Sequence, residues 1–238
     1  RGTGRPRCGV ELRGPHQIAE RGRRGGATEG RAQAPEEEIQ GDVELRAHTL
    51  VVRQLDGSAL GLEMAGVVRE VGAAVQTFGT GDRVCALLRG GGYAEQVAVP
   101  AGMLLRLPDD WSFAQGAAVP EVWYTAYINL FDEGGLKAGE TVLIHAGASG
   151  VGTAAIQLAV DAGARAFATA GSAEKVAVCQ ALGAALAVNY KEQAFAAEIM
   201  AATDGAGVDV ILDPVGGGYL ARNISLLRPF GRLVNIAG

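Results

Sequence analysis

The sequence predicts an α/β protein, a β-rich portion of short strands followed by a doubly wound parallel sheet. Three observations carry this. After Gly139, short apolar runs rich in β-branched residues alternate with helical patterns, as in successive βαβ units. Before Pro100, short strands follow one another closely with glycine between them, which suggests a β-rich or barrel-like portion. The composition, 48% hydrophobic and 20% charged over 238 residues, is that of a globular chain with room for one large domain or two modest ones.

The elements follow in order. Residues 66–72 alternate apolar and polar and read as a strand and turn, and residues 82–87 and 92–99 as two more strands around the turn at Gly90–Gly92. Pro100 closes this portion. Ser112 is a plausible N-cap for a short helix through Val119, and Pro120 opens a second through about Leu130, with Trp123, Tyr127 and Leu130 at helical spacing. Residues 141–146 are too short an apolar run for a helix and form the first parallel strand. The helix after it, 150–162, carries Ala155, Leu158, Ala159 and Ala162 on one stripe. Strands are expected at 165–169, 185–188, 208–212 and 233–236, with helices at 174–181 and about 195–202. Apolar strands between helices imply a sheet covered on both faces.

The chemistry is expected in the loop Gly147-Ala148-Ser149-Gly150-Val151-Gly152, between the first parallel strand and its helix. A dinucleotide fingerprint would read Gly-x-Gly-x-x-Gly; here Ser149 holds the middle place and Gly150 follows. Gly147 would allow the tight turn and Gly152 the close packing of helix on strand. Ser149 and Gly150 would bring backbone N–H groups, and a hydroxyl, to a pyrophosphate at the positive helix end. About 20 residues on, an NAD site places a carboxylate for the ribose 2′-hydroxyl. The strand end here, Ala168-Thr-Ala-Gly171-Ser172-Ala-Glu174-Lys175, has none; Ser172 and Lys175 suit a 2′-phosphate, and Tyr190 can add a phenol. NADP is therefore favoured over NAD.

Residues 1–34 carry eight Arg against three Glu in a chain whose net charge is −5, and every aromatic lies at or after Phe78. Residues 1–57 therefore read as an anomalous, unpacked leader, through disorder or a wrong reading frame. The competing reading, an Arg/Gly arm for nucleic acid, lacks the interleaved aromatics that would stack bases. Three scattered cysteines exclude a disulfide framework and a Cys-x-x-Cys zinc site, and reduced thiols fit a cytoplasmic address.

The loop at 141–152, the Gly-Ser-x-x-Lys at 171–175, Asn189-Tyr190, Asp213-Pro-Val-Gly-Gly217 and Gly231-Arg-Leu-Val234 together resemble the quinone oxidoreductase branch of the medium-chain dehydrogenase/reductases. Gly61-Leu-Glu-Met-Ala-Gly66, Gly91-Gly-Tyr-Ala-Glu95 and Glu121-Val-Trp-Tyr-Thr125 extend the resemblance over about 59–238. It implies a partial GroES-like catalytic domain at 58–120 and an NADP-binding Rossmann domain at 121–238. It also implies a catalytic stretch before Gly61 and a continuation beyond Gly238, so both domains are expected to be incomplete. Thr125 would approach the nicotinamide, Gly147 and Ser149–Gly152 the phosphates, and Ser172, Lys175 and Tyr190 the adenosine 2′-phosphate. A homodimer is the expected state of the full-length protein.

No metal is expected. Zinc-dependent relatives carry His where this chain has Leu62, which cannot ligate zinc, and the Cys-rich structural lobe is absent. Cys85 reads as a small buried hydrophobe, and His145 as a hydrogen-bonded histidine beneath the loop rather than an acid. Asn223-Ile-Ser225 has the form of a glycosylation sequon without a secretory context. No proton donor is assigned, and water can protonate the product. The expected function is NADPH-dependent reduction of a small-molecule quinone or activated enone, with no nucleic acid or membrane partner. The alternatives are an enoyl-thioester reductase and a non-catalytic NADPH-binding module.

Overall fold

In the computed structural model, which describes residues 7–12 and 60–237, the chain divides into two units, Arg1–Pro120 and Glu121–Gly238. The first unit holds β1 (Arg7–Leu12), β2 (Glu63–Val71), β3 (Arg83–Leu87), β4 (Gln96–Pro100) and β5 (Leu104–Arg106), followed by α1 (Phe113–Ala117). The strands form one sheet in the order β4-β1-β2-β3-β5. Apolar side chains alternate toward one layer containing Met64, Val68, Val84, Ala86 and Leu104. Ser112 caps α1 through a capping box: its Oγ accepts from the Gln115 amide, and Gln115 Oε1 accepts from the Ser112 amide. The helix packs on β2 closely enough that a Cβ at Gly116 would meet Leu107 and Ala65.

The expectation of an unpacked leader is corrected at residues 7–12. β1 is antiparallel to both neighbours, pairing Cys8 with Val71 on β2 and with Val99 on β4. Composition failed there because a strand flanked on both sides takes its hydrogen bonds from the ladder and needs little apolar area of its own. The remainder of the expected leader lies outside the described residues.

The second unit begins with α2 (Pro120–Tyr127), which runs into a π-helical turn at Ile128–Glu133. There follow β6 (Thr141–Ile144), α3 (Gly150–Asp161), β7 (Arg165–Ala170), α4 (Ala173–Ala181), β8 (Leu186–Asn189), α5 (Phe195–Ala202), β9 (Val208–Asp213), α6 (Leu220–Leu226) and β10 (Leu227–Asn235). All five strands are parallel, in the order β10-β9-β6-β7-β8. The central strands β6 and β9 are buried on both faces, which is why they read as unbroken apolar runs. Val142 and Ile144 join α2 and α3 on one face; Leu143 and Ile211 join Phe195, Ile199 and Leu226 on the other. β10 lies at the sheet edge and starts at Leu227 rather than 233. The irregularity between Leu227 and Arg232, with Phe230 at φ 66°, interrupts its apolar pattern and shifts its register.

At the opposite ends of these strands from the glycine loop, Arg232 fastens the π-helical turn to the sheet. It donates to the carbonyls of Gly134 (2.7 Å) and Gly135 (2.8 Å) and makes a two-pronged contact with Glu140 at 3.0 and 2.8 Å. The Arg232 guanidinium holds the Glu140 carboxyl below the ordinary carboxylate value of 4.5. A depressed carboxylate contributes stability above its unfolded value and loses it as pH falls through its folded value. Arg232→Ala should therefore cost about 1–2 kcal/mol at neutral pH. Denaturant titrations of Glu140→Gln should show a shallower loss of stability below about pH 4.5 than wild type.

Candidate cofactor site

The order β8-β7-β6-β9-β10 reverses direction between β6 and β9, and the carboxyl ends of the strands around such a point form the usual ligand crevice. Four loops gather there: 146–150 after β6, 171–172 after β7, 190–194 after β8 and 214–219 after β9.

The loop after β6 differs in detail from its sequence reading. The left-handed residue of the turn is Ala146 (φ 51°), not Gly147. Gly147 is needed for space: a Cβ there would stand 2.8 Å from the Ala168 Cβ and 2.9 Å from the Cys179 sulfur. Gly152 performs the expected role, since a Cβ on it would strike the Ala146 carbonyl and stand 2.7 Å from the Gly147 backbone. Ser149 is the N-cap of α3: its Oγ accepts from the Gly152 amide at 3.0 Å. Its own amide donates to the Ala146 carbonyl at 2.9 Å, so the expectation that Ser149 offers a free N–H is corrected. The turn consumes that donor. The amides of Gly150 and Val151 have no acceptor among the described residues and point the positive end of a 12-residue helix out of the loop.

The second group of expected residues lies after β7 and β8. Ser172 is the N-cap of α4, with its Oγ accepting from the Lys175 amide at 3.3 Å. The Tyr190 hydroxyl lies over Gly171, where it would stand 2.9 Å from a Cβ. Gly171, Ser172, Lys175 and Tyr190 thus share one edge of the sheet. Among the described residues no carboxylate pairs with Lys175. Thr125 is half-buried on α2, one turn after Val122, whose Cγ1 lies 2.8 Å from where a Gly150 Cβ would be. The Thr125 carbonyl accepts from Asn129 Nδ2, leaving its hydroxyl without a partner among the described residues.

His145 is fully buried, as its place in the strand suggested. Its Nδ1 lies 3.0 Å from Thr169 Oγ1 and its Nε2 2.8 Å from Asn223 Oδ1. Burial, above all, holds its pKa below the ordinary 6.5. Asn223 donates onward to Asp213 Oδ2 at 2.9 Å. A sequon asparagine buried in this way cannot present itself to a glycosylating enzyme. The part of Thr169 and Asn223 in this network is what sequence reasoning missed: Thr169 lies inside an expected strand, and α6 is seven residues long with no helical stripe. Burial pushes the Cys85 and Cys179 thiols up, so both stay protonated and act as small apolar groups. Among the described residues no group of three or more His, Cys, Asp or Glu side chains converges, and Leu62 is exposed. No helix among them is long and apolar enough to cross a membrane.

A parallel doubly wound sheet with a glycine loop at its switch point defines a Rossmann-type protein, here joined in sequence to a GroES-like domain. Residues 39–109 match the alcohol dehydrogenase GroES-like domain family, and 150–238 the zinc-binding dehydrogenase family. The chain belongs to the medium-chain dehydrogenase/reductase superfamily, in its quinone-oxidoreductase-like branch. It is 46% identical over 183 residues to the spectinabilin polyketide synthase system protein NorB of Streptomyces orinoci, covering 76% of this chain and 8% of that one. Among solved structures, CurK enoyl reductase is similar with a TM-score of 0.71 and 38% identity, covering 76% of this chain and 54% of that one. Escherichia coli quinone oxidoreductase complexed with NADPH gives 0.67 and 34%, covering 73% and 54%. The chain spans less than a tenth of the polyketide synthases it matches and about half of these solved chains.

Proposed function

We propose that the chain takes part in NADPH-dependent reduction of a carbon–carbon double bond conjugated to a carbonyl, without zinc, and that an enoyl thioester is the favoured substrate. One observation carries the cofactor: β7 ends at Ala170 without a carboxylate, Ser172 and Lys175 stand at the start of the helix after it, and the Tyr190 hydroxyl lies over Gly171. A hydroxyl, an ammonium and a phenol are donors suited to a 2′-phosphate, whereas an NAD site needs an acceptor for the 2′-hydroxyl. The Gly150 and Val151 amides suit a pyrophosphate, and Thr125, one turn beyond Val122, suits the nicotinamide end. When bound, the nicotinamide supplies the hydride. The protein orients it, and the α-carbon takes its proton from water.

The enoyl thioester is favoured because the similar region of NorB lies in a polyketide synthase and CurK is an enoyl reductase. The quinone reading rests on the quinone oxidoreductase among the similar structures. Steady-state NADPH oxidation with a crotonyl thioester and with a naphthoquinone separates them. The favoured reading expects the higher kcat/KM with the thioester. A quinone turned over while the thioester is inert would reverse the order. NADPH binding without turnover of either would leave a binding module.

A further inference from the structure

The buried chain from Thr169 through His145 and Asn223 to Asp213 has a direction that the hydrogen bonds fix. Asp213 accepts at Oδ1 from two backbone amides and at Oδ2 from Asn223 Nδ2, so Asn223 Oδ1 faces His145. His145 therefore donates from Nε2. A neutral imidazole then accepts at Nδ1, and the Thr169 hydroxyl is the donor.

The ends of this chain are the two loops on either side of the switch point. The Thr169 carbonyl accepts from the Gly147 amide at 2.8 Å, anchoring the glycine loop. Asp213 Oδ1 accepts from the amides of Val215 (2.8 Å) and Gly216 (3.0 Å), anchoring the loop after β9. The His145 amide itself donates to the Leu212 carbonyl at 3.0 Å, beside Asp213.

We propose that His145 is a positioning residue which, as a neutral imidazole, locks the glycine loop and the 213–217 loop into a single cofactor-binding arrangement. This rests on the reading that a dinucleotide occupies this edge. A second proton would put a donor on both ring nitrogens. The Thr169 hydroxyl would then have to turn from donor to acceptor, leaving its hydrogen without an acceptor inside a buried site. The groups facing the ring are Asp213 from β9, Arg222 from α6 and Tyr219 from the turn before it, with the Phe195 ring from α5. Burial most strongly opposes the charged ring, while the Asn223 hydrogen bond and Asp213 favour it and Arg222 opposes it.

The test combines NADPH binding by fluorescence with amide hydrogen exchange of the ligand-free protein, from about pH 8 to about pH 5. In wild type, binding weakens at the acid end of this range, later than an ordinary histidine would titrate, as Val215 and Gly216 lose protection, after correction for the pH dependence of intrinsic exchange. His145→Phe keeps an aromatic ring in place; it should bind NADPH about tenfold more weakly at neutral pH and expose both amides. Its binding should change less with pH than wild type, a difference from which the titration of the ligand's own phosphate cancels. Thr169→Val, nearly isosteric, should weaken binding about threefold and decides the matter if His145→Phe does not fold. Wild-type affinity and undisturbed protection at Val215 and Gly216 in the variant that folds would overturn the proposal. Wild-type protein that binds no NADPH at any pH overturns the proposed function instead, and the exchange arm still decides whether His145 holds the two loops.

Discussion

Replacing Lys175 with alanine should weaken NADPH binding by about one to two decades and leave NADH binding nearly unchanged. A charge-assisted contact between an ammonium and a phosphate is worth about 1.5–3 kcal/mol, which converts to that range. The competing explanation, that Lys175 is a solvated helix charge, predicts no change in either affinity and a stability effect within about 0.5 kcal/mol. Lys175 distinguishes the two better than its neighbours do. Ser172→Ala would also remove the N-cap of α4, worth about 1 kcal/mol, and so would mix stability with binding. Tyr190→Phe keeps the ring over Gly171 and isolates the phenol, so a smaller loss confined to NADPH is expected there. Titration of both nucleotides by fluorescence checks the set. Equal losses for NADH and NADPH in Lys175→Ala would mean that this edge does not read the 2′-phosphate.

Gly152→Ala should abolish measurable dinucleotide binding and lower stability by about 3 kcal/mol, although alanine is the better helix former by about 1 kcal/mol. The three atoms nearest the new Cβ would all be backbone, the Ala146 carbonyl oxygen and the Gly147 Cα and carbonyl carbon, and backbone cannot rotate aside. Relief requires either lifting α3 off the turn or displacing Ala146, which already occupies a left-handed conformation. Either movement carries the Gly150 and Val151 amides away from their common focus. Gly150→Ala is the control. Its Cβ would meet the Val122 side chain, which can give by a small shift of α2, so a milder loss is expected. Thermal denaturation and NADPH titration of the pair check the contrast; similar behaviour of the two variants would show that the backbone clash is not the controlling feature.

The readable elements were those whose cause is local. Ser112 with Gln115 three residues on, Pro120 at a helix start and the apolar runs of β6 and β9 each state their structure within a few residues. The same holds for the loop after β6, because a strand end, a glycine loop and a helix N-terminus are contiguous in the chain. Elements without a local pattern escaped: β5 is three residues long, and α6 follows three glycines with no apolar stripe. The π-helical turn at Ile128–Glu133 was invisible as such because its apolar residues still fit an ordinary helical spacing.

The sequence by itself determined the alternation of strands and helices from β6 to β9, the glycine loop after β6 and the donor character of the second strand end. Each depends on side-chain periodicity or turn chemistry that neighbouring residues settle among themselves. Only the tertiary structure decided that β1 completes the first sheet, that Ala146 rather than Gly147 takes the left-handed turn, and that the Ser149 amide is spent inside the loop. It alone brought Asn223 to His145 across 78 positions of chain. A hydrogen-bond partner so distant is chosen by the closure of the parallel sheet and the packing of α6 beside it, and no local pattern in the chain encodes that choice.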